Sequence, residues 1–183
     1  MATWELLSSV PASDTRCQKI LVAAKYANIK IDHKPSLDPS ALTALVPHGK
    51  TVVLKKGNDA ITQSNAILRL LAELAPQAEL YGKTEFQSAE VDQWLEFFRA
   101  EVEVPAAVLT FPALGLLPKN AGAADMAKED VLRALGAVER HLAARTWLVG
   151  ERPSLADVAA AVAVAAARPH LPRDRLSALV NTE

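Results

Sequence analysis

A polar pair in front of an apolar helical pattern is the part of this sequence best suited to binding an anion. Gln63 and Ser64 follow a short predicted strand and precede apolar residues at helical spacing. The N-terminus of a helix offers backbone N–H groups without partners and a partial positive charge, which suits a carboxylate, and Ser64 can add a hydroxyl donor. The alternative is that Ser64 only caps the helix and binds no ligand.

Other reactive side chains favour structural roles. Ser154 and Asp157 match a capping box, in which a serine is followed three residues later by an acid, so we assign Asp157 no catalytic role. Cys17 falls inside a predicted helix, where a small buried packing residue is expected rather than a nucleophile. The four histidines are far apart and form no i, i+4 pair, so no metal site is predicted.

The composition describes an aliphatic globular protein. Half of the 183 residues are hydrophobic, 5% are aromatic, and 20 basic residues offset 21 acidic ones. Proteins that bind nucleic acid usually carry a basic excess on one face, so direct nucleic-acid contact is not expected. A single cysteine excludes an internal disulfide, and the N-terminus lacks a basic n-region. The most apolar run, residues 158–167, is shorter than the ~20 residues that span a bilayer, so we expect a cytoplasmic protein without membrane contact.

The first half of the chain alternates strand and helix patterns in the order β-α-β-α-β-β-α. Asp38-Pro39 marks a helix start, and Gly57-Asn58-Asp59 marks a turn between the last two strands. The sequence therefore predicts an α/β lobe over residues 1–80. Its predicted strands are 4–7, 29–33, 51–54 and 60–62, and its predicted helices are 14–27, 38–45 and 64–75.

The second half shows no convincing strand, and we predict an all-helical lobe over residues 84–183. Pro105, Pro112 and Pro118 predict a loop-rich connection after the first helix, because proline removes a backbone donor and clashes with the preceding turn. Predicted helices cover 84–104, 123–144 and a final segment from 155 to the prolines at 169 and 172. In the second of these, the expected inward residues are Met126, Val131, Leu135, Val138 and Leu142.

This order of elements, with Gln63-Ser64 and the Ser154–Asp157 box, resembles the glutathione transferase family. The resemblance implies a thioredoxin-like α/β lobe and an all-α lobe that is C-terminally shortened. It also implies glutathione as a ligand, with Gln63 and Ser64 on its γ-glutamyl group. The backbone of Val52, beside Lys50, would then meet its cysteinyl group.

Two positions depart from the glutathione transferase pattern. Val52 stands where the family commonly has a cis-proline, and since a non-proline cis bond costs ~3–4 kcal/mol, we expect this peptide to be trans or the loop to be rearranged. Pro11 occupies the position at which these enzymes place a catalytic Tyr, Ser or Cys. Ser9 or Ser13 could take that role if the loop shifts. The alternative is that Ser13 caps the first helix and Ser9 is a loop residue.

A narrower resemblance is carried by the segments VDQWLEFF, TFPALGLLPKN, AKEDVLRALGAVERHL and ARTWLVGERPSLADV, between residues 91 and 158. In order and spacing they resemble the gamma subunits of eukaryotic translation elongation factor 1B. That implies a non-catalytic scaffold for the alpha- and beta-type exchange subunits and, indirectly, elongation factor 1A, with a homodimer as an option and no required cofactor. The alternatives are an active glutathione transferase and an appendage of an aminoacyl-tRNA synthetase complex.

Overall fold

The computed structural model describes residues 3–48 and 51–177. The chain divides into two compact units with the bounds Met1–Lys83 and Thr84–Glu183. The first is an α/β unit and the second is helical throughout its described part. Together they confirm the predicted fold class. No helix among the described residues combines the length and apolar character that crossing a bilayer requires.

The α/β unit is built on a four-stranded mixed sheet in the order β2-β1-β3-β4. β1 pairs in parallel with β2, while β3 runs antiparallel to both β1 and β4. The element order along the chain is the predicted one. The strands are β1 (Trp4–Ser8), β2 (Ile31–Lys34), β3 (Val52–Lys56) and β4 (Asp59–Thr62), and the helices are α1 (Thr15–Tyr26), α2 (Pro39–Thr43) and α3 (Ser64–Leu74).

The core of this unit lies between the sheet and the packed pair α1 and α3. Period-two alternation turns Leu6 and Ser8 of β1 to the buried side, and α3 contributes Ile67, Leu68 and Leu71 from one face. The register places Ser8 opposite Val52 and Val53 opposite Thr62. As a result, the ends of β1 and β4 and the start of β3 meet at one edge of the sheet.

The second unit consists of helices in its described part, and caps mark several helix starts. Thr84 caps the first helix through the N–H of Gln87, and Asn120 caps a later one through the N–H of Ala123. The helices are α4 (Glu85–Phe97), α5 (Val104–Ala113), α6 (Ala121–Leu142), α7 (Leu155–Ala167) and α8 (Arg173–Leu176), with a π-helical turn at Phe98–Glu103 and a 3₁₀ turn at Arg168–His170.

The predicted loop around Pro105 and Pro112 is wrong, because the chain is helical from α4 through α5. Pro105 lies in the first turn of α5, directly after the π-helical turn, whose wider spacing leaves room for its ring at the preceding carbonyls. Ala106 and Leu109 are buried, and α5 packs against α6. Tertiary packing therefore outweighs the local preference of proline for a loop.

One inward residue of α6 was also predicted wrongly. Val131, Leu135 and Val138 are buried as expected and Leu142 is half-buried, but Met126 is 71% exposed and Ala127 takes the buried position. Met126 precedes Val131 by five residues, which turns its side chain away from the buried face by about 140°. The apolar stripe of α6 thus begins one residue later than its composition suggests.

The capping box at the start of α7 is confirmed. The carboxylate of Asp157 accepts hydrogen bonds from the Ser154 backbone N–H and hydroxyl, both at 2.8 Å. It also accepts the N–H of Leu148 at 3.0 Å, which ties the preceding loop to the helix. One carboxylate therefore satisfies donors from two segments, which is a structural role.

We expect Asp157→Ala to lower the free energy of unfolding by about 2–4 kcal/mol, the sum of a lost cap and an unsatisfied backbone donor. Urea unfolding followed by circular dichroism measures this. Asp125→Ala is the matched control, because its carboxylate pairs with Lys128 on the exposed face of α6 and contributes at most about 1 kcal/mol. Equal losses for the two variants would contradict the anchoring role.

Candidate functional site

The register of the sheet brings most of the predicted site residues to one edge. The N–H of Ser9 donates to the carbonyl of Thr51 at 3.0 Å, which continues the β1–β3 ladder past Ser8 and Val52. On the other side of β3, Thr62 ends β4, so that Gln63 and Ser64 follow at the same edge. Lys50, which the sequence also predicts to lie beside a bound ligand, is outside the described part of the chain.

The N-terminus of α3 has a strained entry and no side-chain cap. Gln63 occupies the N-cap position with φ 72° and ψ 111°, and its side chain makes no capping hydrogen bond. Ser64 is the first helical residue, so the interpretation that Ser64 caps this helix is wrong. A positive φ at a residue other than glycine costs about 1–3 kcal/mol, which the surrounding structure must offset. Such strain is typical of binding sites as well as of tight turns.

The backbone at Val52 differs from the pattern of a glutathione transferase. No peptide bond among the described residues is cis, so the Thr51–Val52 bond is trans as expected. The carbonyl of Val52 accepts a hydrogen bond from the Thr62 hydroxyl at 2.6 Å. Because both residues are buried, this bond keeps one lone pair of the carbonyl occupied within the protein. The Val52 carbonyl is thus less available to a peptide-like ligand.

The two candidate serines lie in different surroundings. Ser9 is half-buried at the end of β1, whereas Ser13 is exposed in the turn closed by the bond from Asp14 N–H to the Pro11 carbonyl. Asp14, not Ser13, caps α1 by accepting the N–H of Arg16 at 2.9 Å. The expectation that Ser13 serves as the cap is therefore wrong, and it is Ser9 that sits beside the other site residues.

A second set of polar side chains, which the sequence did not reveal, lies behind this edge. The Ser8 hydroxyl donates to the carbonyl of Val10 at 2.9 Å and lies 3.1 Å from Nε2 of His33. Since its only hydrogen is used on Val10, the assigned tautomer has His33 donating to Ser8. The Cys17 thiol also contacts the Ser8 side chain. The local signal was Ser8 itself, a polar residue at an inward strand position.

Burial keeps the thiol and the imidazole of this cluster neutral. It raises the pKa of the Cys17 thiol above its ordinary range, and this effect is larger than the opposing effect of the contact with the Ser8 hydroxyl. Burial likewise lowers the pKa of His33, and the neighbouring Asp32 opposes that effect. Cys17 has no exposed surface. The cluster therefore holds no thiolate nucleophile at neutral pH, in agreement with the expected packing role of Cys17.

A buried lysine lies next to the entry of α3. Lys19 of α1 is 1% exposed, and its ammonium donates to Oδ1 of Asn65, which is 6% exposed, at 2.9 Å. A buried cation requires such acceptors because its desolvation is costly. The contact joins α1 to the first turn of α3 and places a positive charge close to the helix N-terminus.

No group of three or more His, Cys, Asp or Glu residues in the described part of the chain could hold a metal ion. The arrangement at the sheet edge instead offers hydroxyls, backbone groups and the positive end of α3. Such an arrangement can bind a small carboxylate-bearing ligand.

The sequence is similar to a known domain family and to known proteins. Residues 92–176 match the family model described as glutathione S-transferase, C-terminal domain. Elongation factor 1-gamma 1 of Oryza sativa subsp. japonica is 32% identical over 147 residues, which are 76% of this chain and 35% of that protein. Elongation factor 1-gamma of Rattus norvegicus is 37% identical over 155 residues, 78% of this chain and 34% of that protein. The chain thus spans about a third of these relatives.

Solved structures show the same fold at lower identity. Glutathione transferase F2 from Populus trichocarpa matches with a TM-score of 0.84 and 18% identity, covering 98% of this chain and 89% of its own. A theta-class glutathione S-transferase from Xanthomonas axonopodis pv. citri, solved with glutathione bound, matches with a TM-score of 0.76 and 21% identity. The match covers 88% of this chain and 80% of that one. The fold is therefore that of glutathione transferases.

We expect the Cys17 thiol to be unreactive in the folded protein. Ellman's reagent at pH 7.5 should detect no thiol in the native chain and one thiol per chain in urea, since burial hides the sulfur and keeps it protonated. Rapid reaction of the native chain would contradict this arrangement.

Stability should also decline at alkaline pH. Because burial raises the pKa of Cys17, the folded state binds the thiol proton more tightly than the unfolded state. The resulting contribution to the free energy of unfolding is fully present below the ordinary thiol pKa of 9.0 and is lost as pH rises above it. Urea unfolding of the wild type and of Cys17→Ala at pH 8 and pH 10 measures the change. The free energy of unfolding of the wild type relative to Cys17→Ala should be smaller at pH 10 than at pH 8. An equal difference at the two pH values would contradict a raised pKa of the Cys17 thiol.

We expect Asn65→Ala to destabilise the protein by about 1–3 kcal/mol, because it removes an acceptor from a buried ammonium. Adding Lys19→Met to that variant should restore part of the loss, since the charge is then absent. Urea unfolding of both single variants and the double variant gives the coupling energy. Strictly additive effects would show that the two side chains do not depend on each other.

Proposed function

Because the chain is a relative of elongation factor 1-gamma with a glutathione transferase fold, we propose that it is a non-catalytic scaffold domain of the translation elongation factor 1B complex. In this role it holds the alpha- and beta-type guanine-nucleotide-exchange subunits, which act on elongation factor 1A. The observation that carries the proposal is 32–37% identity over about three quarters of the chain. Such a domain works in the cytoplasm and contacts neither nucleic acid nor membrane directly.

The geometry of the sheet edge supports a role without catalysis. Pro11 stands at the position expected for the activating side chain, and Ser13 lies in an exposed turn beyond it. The Val52 carbonyl is engaged by Thr62, and the Cys17 thiol is buried and protonated. The chain then needs no cofactor, and its surfaces rather than a pocket carry the function.

The test is reconstitution with purified exchange subunits. The chain and an exchange subunit should co-elute as one complex in size-exclusion chromatography, and the chain alone should not accelerate nucleotide release from elongation factor 1A. The poplar F2 enzyme is the matched control, because it shares the fold at only 18% identity and should elute separately. If both proteins or neither bound the subunit, the scaffold proposal would be wrong.

A second candidate is an active glutathione transferase. It is favoured by the convergence of Ser9, Val52, Gln63 and Ser64 at one edge and by the strained backbone of Gln63. In that case α3 and Ser64 bind the γ-glutamyl carboxylate, and the Ser9 hydroxyl faces the thiol.

Titration calorimetry with glutathione and conjugation of a chlorodinitrobenzene substrate separate the two candidates. Under the scaffold proposal neither heat nor turnover is observed. Turnover that disappears in Ser9→Ala but persists in Ser13→Ala would establish the enzyme instead. Binding without turnover would leave the scaffold role intact and identify the α3 entry as a ligand site.

A further inference from the structure

A cavity of about 250 Å³ lies where α1 ends and the chain turns back into β2. Asn28 makes this turn with a φ of 54°, and the N–H of Ile29 donates to the carbonyl of Ala24 at 2.8 Å. The bond holds Ile29 beside the last turn of α1. Half-buried side chains of Leu21, Ile29 and Ile31 give the lining an aliphatic surface that water reaches. This space is hereafter the α1–β2 cavity.

Two lysines make the α1–β2 cavity basic. Lys25 and Lys30 are exposed and belong to its lining, which includes no acidic residue in the described part of the chain. Neither ammonium forms an ion pair or a hydrogen bond with any residue that the structure describes, and Asp32, the first acid after Lys30, is paired with Lys34. Lys25 also complements the negative end of the α1 dipole, whereas Lys30 lies beyond the helix. An occupant that fits this cavity therefore carries negative charge next to an aliphatic group.

The α1–β2 cavity lies at the start of an edge strand. β2 stands first in the sheet order β2-β1-β3-β4, so that only β1 pairs with it among the described residues. Outside that ladder, the backbone of Ile31–Lys34 makes no hydrogen bond within the described part of the chain. An edge strand of this kind can pair with an added strand through its main chain, and a neighbouring side-chain pocket then selects the sequence.

We propose that β2 binds an extended, acidic C-terminal segment of a partner protein as an additional strand. The segment runs antiparallel to β2, because its terminal carboxylate then reaches Lys25 and Lys30 at the start of the strand. Its last aliphatic side chain enters the α1–β2 cavity against Leu21 and Ile29. The four residues of β2 advance about 13 Å, which pairs with about four residues of the segment. This inference goes beyond the proposed scaffold function, because it concerns an edge of the α/β unit and needs no exchange subunit.

A synthetic strand tests this surface directly. The probe is a fluorescein-labelled octapeptide of alternating threonine and valine that ends in Glu-Val with a free carboxylate. One control replaces the glutamate by glutamine and amidates the C-terminus, which removes both charges. A second control keeps the charges and carries N-methyl groups on its amides, which removes the donors of a β ladder. Fluorescence anisotropy should show that the full chain binds the probe about tenfold or more tightly than either control.

Charge-reversal variants show whether the two lysines are responsible. Lys25→Glu with Lys30→Glu should weaken binding of the probe by about tenfold or more, and because both side chains are exposed, circular dichroism should be unchanged. Lys119→Glu with Arg140→Glu is the matched control, since it changes the net charge equally on exposed residues of the helical unit, and it should bind as the wild type does. Equal weakening by both double variants, or no binding by the wild type, would overturn the proposal.

Nuclear magnetic resonance then locates the bound probe. In ¹H–¹⁵N spectra of the full chain, the probe should shift the amide signals of Ile31–Lys34 and leave those of Asp59–Thr62, the strand at the other edge, unchanged. Shifts confined to β4 or to the entry of α3 would overturn the proposal. So would binding of phosphatidylserine vesicles without binding of the probe, which would assign the lysines to a lipid surface, or a dimer of the chain that the probe fails to dissociate.

Discussion

The register of β3 between β1 and β4 determines the geometry of the candidate site. Ser8 and Ser9 stand more than forty residues before Val52 and Thr51, yet one antiparallel ladder sets them side by side. The next ladder places Thr62 against the same stretch of β3 and thereby positions the entry of α3. A shift of one residue would turn each side chain to the other face of the sheet. Packing of the apolar face against α1 and α3 prevents such a shift.

Behind this edge, buried polar groups hold the fold in one arrangement. Lys19 meets Asn65, and Ser8 joins Cys17 to His33. No buried side-chain nitrogen or oxygen in the described part of the chain lacks a hydrogen-bond partner. At the same edge of the sheet the Thr62 hydroxyl donates to the carbonyl of Val52. The glutathione transferase fold, which this chain shares, can carry more than one function.

The helical unit combines a rigid entry to α7 with an incomplete cover of the same helix. Asp157 anchors the preceding loop, and the buried side of α7 contributes Leu155, Ala159 and Val162 to the core. The opposite side, at Ala161 and Ala165, carries no polar group that would favour water. Relatives matched over about three quarters of this chain are roughly three times as long as the matched part.

The element order, the α/β and helical units and the capping box at Ser154 could be predicted from the sequence alone, because they follow from local spacing and side-chain chemistry. The prolines of α5 predicted a loop, which is wrong, because packing on α6 stabilises a helix that the local preference of proline opposes. Which residues occupy the N-cap positions, Asp14 before α1 and Gln63 before α3, depended on backbone angles that composition does not encode. The pairs Lys19–Asn65 and Ser8–His33 join residues distant in sequence. Only strand register and helix packing bring such residues together, and those are decided by the whole core at once.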